Sequence, residues 1–295
     1  MTNKNDIDQT TGIETTGHEW DGIRELNNPL PRWWLWTFYA TIIFSIGYMI
    51  YYPAIPLIEA STPGISGKTN RLALREEMES AAAAQSIMLK QISQSNLESI
   101  RKNSDLARFA TAGGASAFKV YCSQCHGSGA QGGPGYPNLN DDDWIWGGDL
   151  DAIYTSIKHG IRSDDDDDTR YSVMPAFAED GILDRTEIRQ ATHYILNITG
   201  QEHDSQLASA GKTVFKENCA SCHAPNGTGI RELGSPDLTD AISLYGNTEE
   251  TIVAQIQKPK HGVMPAWNTL LSDETIKQLA IYVHGLGGGE QAKAE

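Results

Sequence analysis

One pattern occurs twice and limits what this chain can become. Residues 114–126 read G-x-x-x-F-x-x-x-C-x-x-C-H, with Gly114, Phe118, Cys122, Cys125 and His126, and residues 211–223 repeat it with Gly211, Phe215, Cys219, Cys222 and His223. The chain has 4 cysteines, and all of them lie in these two motifs, so none remains for a structural disulfide framework. Zinc sites also use C-x-x-C, but a histidine directly after the second cysteine is the signature of covalent c-type heme attachment. The expected cofactors are therefore two covalently bound heme c groups, one on Cys122 and Cys125 and one on Cys219 and Cys222.

Each motif is followed by a Met-Pro-Ala-aromatic run, Met174 to Phe177 and Met264 to Trp267. A histidine and a methionine fill both axial positions of an electron-carrying heme. This ligand pair raises the reduction potential relative to two nitrogen ligands and leaves no position for a substrate. His126, Met174, His223 and Met264 are the candidate axial ligands of iron, and no catalytic residue is expected. Chain order puts Met174 in the first domain and Met264 in the second, with the spacing leaving open whether ligands pair within each domain or cross. Met78 and Met88 fall in a polar helical stretch, where packing is the default. His159 and His261 each precede a candidate methionine and are the rival ligands. His193, His203 and His284 read as surface or packing histidines. Arg162, Arg170, Lys258 and Lys260 could pair with heme propionates, against the plainer reading of solvated loop charge.

Residues 1–19 are polar and read as mobile, and Pro29 and Pro31 exclude a regular helix just before Arg32. Trp33 to Tyr52 then runs without a charged side chain. At about 1.5 Å per residue such a helix spans roughly 30 Å, the thickness of a bilayer core. Trp33, Trp34 and Trp36 at one end and Tyr48, Tyr51 and Tyr52 at the other match the aromatic belts of membrane interfaces. A signal peptide would be shorter, would start earlier and would end in a small-residue cleavage site. Flanking charge orients the anchor weakly, because Arg24 and Arg32 precede it while Lys68, Arg71 and Arg75 follow. Covalent heme attachment, which takes place outside the bacterial cytoplasmic membrane, puts the C-terminal bulk in the periplasm and the N-terminus in the cytoplasm.

The fold expected is mainly α, with one N-terminal transmembrane helix, a helical spacer and two tandem class I cytochrome c domains. The divisions are a cytoplasmic segment at 1–32, the anchor at 33–52, a linker and spacer at 53–110, heme domains at 111–200 and 205–286, and a disordered tail at 287–295. The spacer is helical from Asn70, its candidate N-cap, to about Phe109, a stretch without Gly or Pro. In each domain a short first helix, with Gly and Phe one turn apart, should be crossed by a closing helix of the same domain, a long loop passing between them. The first closing helix starts at Asp184 with Glu187 three residues on, and carries Ile188, Ala191, Ile195 and Ile198. The second starts near Ser272 and carries Ile276, Leu279, Ala280 and Val283.

A net charge of −15 excludes phosphate-binding partners and therefore nucleic acid. It suits a basic docking partner, such as a donor cytochrome c. Asp164 to Asp168, with Asp141 to Asp143, forms an acidic run that reads as solvated loop or as a docking patch, and it lacks the ligand spacing of a helix-loop-helix calcium site.

The stretch Glu19 to Trp34, E-W-D-G-I-R-E-L-N-N-P-L-P-R-W-W, resembles the signature before the membrane helix in the diheme subunit III of cbb3-type cytochrome c oxidases. The resemblance covers signature, anchor, spacer and both heme motifs in order. It implies an electron-entry subunit of a proton-pumping terminal oxidase in the bacterial inner membrane. Electrons would come from donor cytochromes c and leave through a monoheme cytochrome c subunit to a catalytic heme–copper subunit. By position it assigns Cys122, Cys125, His126 and Met174 to a first heme, and Cys219, Cys222, His223 and Met264 to a second. A free-standing membrane-anchored carrier and a diheme peroxidase are the competing readings, and a peroxidase would need one five-coordinate heme.

Overall fold

The computed structural model describes residues 7–240 and 242–291. It divides into two compact units, Met1–Ala84 and Gln85–Glu295. The first unit opens with an antiparallel hairpin of β1 (Thr15–Trp20) and β2 (Ile23–Leu26), although residues up to 19 read as mobile from sequence. Asp21 and Gly22 form its turn, both with positive φ (49° and 82°), as a two-residue Asp-Gly hairpin turn requires. Asp-Gly between Trp20 and Ile23 was the available signal. Arg24 Nε bonds Glu19 Oε2 across the strands at 2.9 Å.

Helix α1 (Arg32–Tyr51) is the expected apolar span, with no buried residue. Among the described residues it alone is long and apolar enough to cross a membrane. Beyond Tyr52 the chain folds back onto its end, with Ile65 N donating to Ile50 O and Ser66 N to Tyr51 O.

Helix α2 (Asn70–Gln94) starts one residue earlier than a cap at Asn70 would place it. Thr69 Oγ1 accepts from Leu72 N, so Thr69 is the capping side chain. The spacer does not run unbroken to Phe109. Asn96 and Asn103 interrupt it, each offering its side-chain oxygen to the first turn of a new helix, α3 (Leu97–Lys102) and α4 (Ser104–Tyr121). The boundary expected at 110/111 therefore falls inside α4. The end of the spacer is also core: Ile92, Leu97, Ile100, Leu106 and Ala110 are buried with Phe118. Lys277 Nζ donates to the carbonyls of Ile92, Ser93 and Ser95, satisfying the orphan C-terminal end of α2.

After α4 come α5 (Ser123–His126), α6 (Leu150–His159), α7 (Arg185–Ile198), α8 (Ser205–Asn218), α9 (Ala220–His223), α10 (Glu249–Gln257) and α11 (Asp273–His284). Helices α6 and α10 lie where unbroken loops were expected. Asp149 and Thr248 cap them, each followed by acidic residues in the first turn. The capping box at Asp184 and Glu187 is formed in full, and Ser272 caps α11.

The two repeats do not close on themselves. Helix α4 packs on α11, and α8 packs on α7. One core joins α3, α4, α6 and α11 with Trp267 and Leu271, and the other joins α7, α8 and α10 with Phe177 and Leu183. The contiguous domains expected at 111–200 and 205–286 are thus replaced by two halves that exchange their closing helices. The cause is the connection Gln201–Asp204. It is long enough only to fold α8 back on α7 as a helical hairpin. The apolar stripe of α7 is then covered by the second motif's helix, which leaves α11 to cover the first.

Each crossing is tight because of one glycine. A Cβ on Gly114 would run into the Gln278 carbonyl and Tyr282 Cβ, and one on Gly211 into the Gln190 backbone and Tyr194 Cβ. Beside them Phe118 meets Tyr282 at 5.4 Å and Phe215 meets Tyr194 at 5.0 Å between ring centroids. Burying each of these rings stabilises its half by about 2–3 kcal/mol.

The tail expected to be disordered is held as far as Glu290. Trp144 Nε1 donates to Gly288 O, Gly148 N and Arg231 Nη1 donate to Glu290 Oε2, and the His284 ring bonds Glu290 O. Residues 292–295 lie outside the described residues.

Gly114→Ala and Gly211→Ala are each expected to destabilise the holoprotein by at least about 1–3 kcal/mol, since backbone stands in the way. Denaturant unfolding followed by heme absorbance measures this; loss in only one variant would contradict equal crossings.

Candidate heme sites

Both attachment motifs have one local geometry. Helix α4 continues through Cys122 into α5, with His126 N bonded to Cys122 O at 2.9 Å. Helix α8 continues through Cys219 into α9, with His223 N bonded to Cys219 O at 2.9 Å. Residues three apart on a helical turn share a face, so each pair of thiols is presented to one side. Burial first, and then the neighbouring thiol, pushes Cys122 and Cys219 up to about 11, so both are uncharged near neutral pH.

The histidines are equally matched. His126 Nδ1 donates to Pro137 O at 3.0 Å and His223 Nδ1 to Pro236 O at 3.2 Å. Burial lowers the pKa of both rings, opposed in part by these bonds. A neutral ring with its proton on Nδ1 has a free lone pair on Nε2, which is the form a metal-binding histidine takes. The sequence reading missed the two prolines. Pro137-Asn138-Leu139 and Pro236-Asp237-Leu238 are a third repeated element, and Leu139 N bonds Ala130 O as Leu238 N bonds Gly227 O.

The methionine loops take part in the exchange. Met264 packs in the core that holds Phe118 and Cys122, and Met174 in the one that holds Phe215 and Cys219. Their anchoring is symmetric. Trp267 N donates to Ile157 O at the end of α6, and Phe177 N to Ile256 O at the end of α10. Packing therefore groups Met264 with the first motif and Met174 with the second.

The rival histidines have other partners. His159 Nδ1 bonds Asp166, and His261 Nε2 accepts from Met174 N at 2.9 Å. Asp166, in the middle of the acidic run, also accepts from Asn268 and from Asp168 N, so part of that run ties a loop together. His159, Asp166 and Asp168 bring their ligand atoms within 4.8 Å of one another. His193 is buried, with Nδ1 accepting from Asp204 N. Arg170 donates to Trp146 O and lies over its ring at 5.3 Å, while Lys258 pairs with Glu179 at the surface.

The model for the N-terminal domain of cytochrome oxidase-cbb3, FixP, matches residues 12–59, and that for cbb3-type cytochrome c oxidase subunit III matches residues 109–195 and 206–283. The chain belongs to the subunit III family of cbb3-type cytochrome c oxidases. Among its relatives in the family, subunit FixPc of Rhizobium leguminosarum is 56% identical, covering 96% of this chain and 98% of the relative. Subunit FixP of Rhizobium etli is 53% identical over 96% and 98%, and subunit CcoP of Cereibacter sphaeroides is 51% identical over 94% and 95%. Membership in subunit III implies heme c, and the paired thiols beside neutral, Nδ1-bonded imidazoles fit that group.

The chain also carries an acidic cluster that sequence adjacency did not reveal. Asp143, expected with Asp141 to join the run at Asp164, lies instead within the influence of Asp240 and Asp237 of the second repeat. Partial burial, then Asp240, Asp141 and Asp237, push Asp143 up to about 6 against the pull of Arg231. A carboxyl raised by folding costs stability only once it ionises. The cost is absent below its unfolded value of about 3.9, grows as pH rises and is complete above about 6. Asp143→Asn is expected to melt higher than the unsubstituted protein at pH 8, with the difference vanishing below pH ~4; equal melting temperatures at pH 8 would contradict the raised carboxyl.

Proposed function

We propose that this chain is the electron-entry subunit of a cbb3-type terminal oxidase, anchored in the bacterial inner membrane by α1 with its heme unit in the periplasm. Bound there, two heme c groups supply one-electron chemistry that carries charge from donor cytochromes c toward the monoheme cytochrome c subunit and the catalytic heme–copper subunit, where oxygen is reduced and protons are pumped. The chain itself contributes attachment, ligation and shielding.

The single observation that carries the reading is the doubled set of thiol pair, Nδ1-bonded histidine and methionine loop, each completed by the other repeat. Cys122 and Cys125 would hold one group, with His126 and Met264 as its iron ligands. Cys219 and Cys222 would hold the other, with His223 and Met174. Pro137 and Pro236 fix the imidazole tautomers, and Phe118 and Phe215 would supply apolar walls to each group. A histidine and a methionine on each iron would support electron exchange and leave no position for a substrate, unlike a peroxidase.

Crossed ligation has a direct test. Met264→His should lower the potential of the heme on Cys122 and Cys125, and Met174→His that of the heme on Cys219 and Cys222. In a Cys219→Ala, Cys222→Ala background, potentiometric titration of the remaining heme should respond to Met264→His and not to Met174→His; the opposite response would restore pairing within repeats. For the function, gentle solubilisation should recover heme b and copper with this chain, and its reduction by a basic cytochrome c should slow as salt rises. A chain that emerges alone under every mild detergent would instead be a free-standing carrier.

A further inference from the structure

The exchange forces the chain to cross between halves twice, once between α6 and Met174 and once between α10 and Met264. The two crossings lie against each other. Ile161 and Met264 exchange both backbone hydrogen bonds, at 2.9 and 3.0 Å. Arg162 N donates to Arg170 O at 2.8 Å within the first crossing. Gly160 allows this contact, since a Cβ there would meet the Met264 carbonyl and Ala266 N.

Arg162 sits at the junction. Its Nε donates to Gly262 O at 2.7 Å and its Nη1 to Ser172 O at 2.9 Å. Gly262 stands two residues before Met264, and Ser172 two residues before Met174. One guanidinium therefore holds equivalent points of both methionine loops. Arg162 also adopts a φ of 52°, a region that non-glycine residues keep only where surrounding contacts impose it.

We infer that Arg162 is a positioning residue shared by both redox sites, clamping the two methionine loops together so that one side chain sets both potentials. This rests on the reading of Met174 and Met264 as axial ligands. The rigid fork of arginine suits the task, because its separated donors reach two carbonyls at once, whereas a lysine offers a single point. The cation also favours the reduced state at either site, so losing it and slackening the loops act in the same direction.

The test uses the full-length chain with both hemes attached, comparing the unsubstituted protein with Arg162→Gln, Arg162→Lys and the surface control Arg108→Gln. The ferric unsubstituted protein is first checked for the far-red sulfur-to-iron absorption band at both hemes; its absence overturns the ligand reading itself, whatever Arg162 does. With the band present, Arg162→Gln is expected to lower both midpoint potentials, and Arg162→Lys to lower both by less. A shift at one heme only, or at neither, overturns the clamp. Both potentials unmoved in Arg162→Lys would assign any effect of the glutamine variant to charge alone and overturns it too, as would an equal shift in Arg108→Gln. Arg162→Lys carries the test if the glutamine variant fails to load heme.

Discussion

The architecture follows from the short connection between the repeats. Gln201–Asp204 gives the chain too little reach to take α8 away from α7. The two amphipathic helices meet across Gly211, with Tyr194 against Phe215. Once that hairpin exists, α4 has lost the closing helix its own repeat would have supplied. It is covered by α11 instead, across Gly114 and with Tyr282 against Phe118. Because the methionine runs precede the closing helices in sequence, they are carried across with them. Helices α6 and α10 stay with their own motifs, and they receive the opposite methionine loop at their C-terminal ends.

Much of this was legible in the sequence in parts. The attachment motifs, the apolar span, the capping box at Asp184 and the stripes of α7 and α11 are local patterns, and each lies where its residues indicated. The partners of those elements were not legible, since the same stripe on α7 fits α4 as well as α8. Only the reach of the linker discriminates between them. The spacer was misjudged for a related reason. Ile92, Leu97 and Ile100 are spaced irregularly because Asn96 breaks the helix between them, so no single helical face revealed that they are core. The hairpin at Thr15–Leu26 and the caps at Thr69, Asp149 and Thr248 had local signals that stronger features nearby obscured.

At the heme sites, the residue types were legible and their grouping was not. Four cysteines, two histidines and two methionines stand out by pattern. The groups that orient them do not. Pro137 and Pro236 act through backbone carbonyls, which any residue type could supply, and only their repeated Pro-x-Leu setting marks them. Arg162 has no counterpart motif, and its position became meaningful only when the two crossings were seen side by side. The acidic residues divide in a similar way: Asp166 is tied into a loop, whereas Asp143 feels carboxylates from the other repeat.

The placement of α11 bears on how the protein is assembled. A chain made from its N-terminus presents the first attachment motif early and the helix that covers it only after the second motif. The upstream half must therefore wait, partly open, while the downstream motif emerges beside a helix already made. Damage close to the C-terminus would be felt first at the more distant motif in sequence, which reverses the intuition that a truncation harms only what lies next to it.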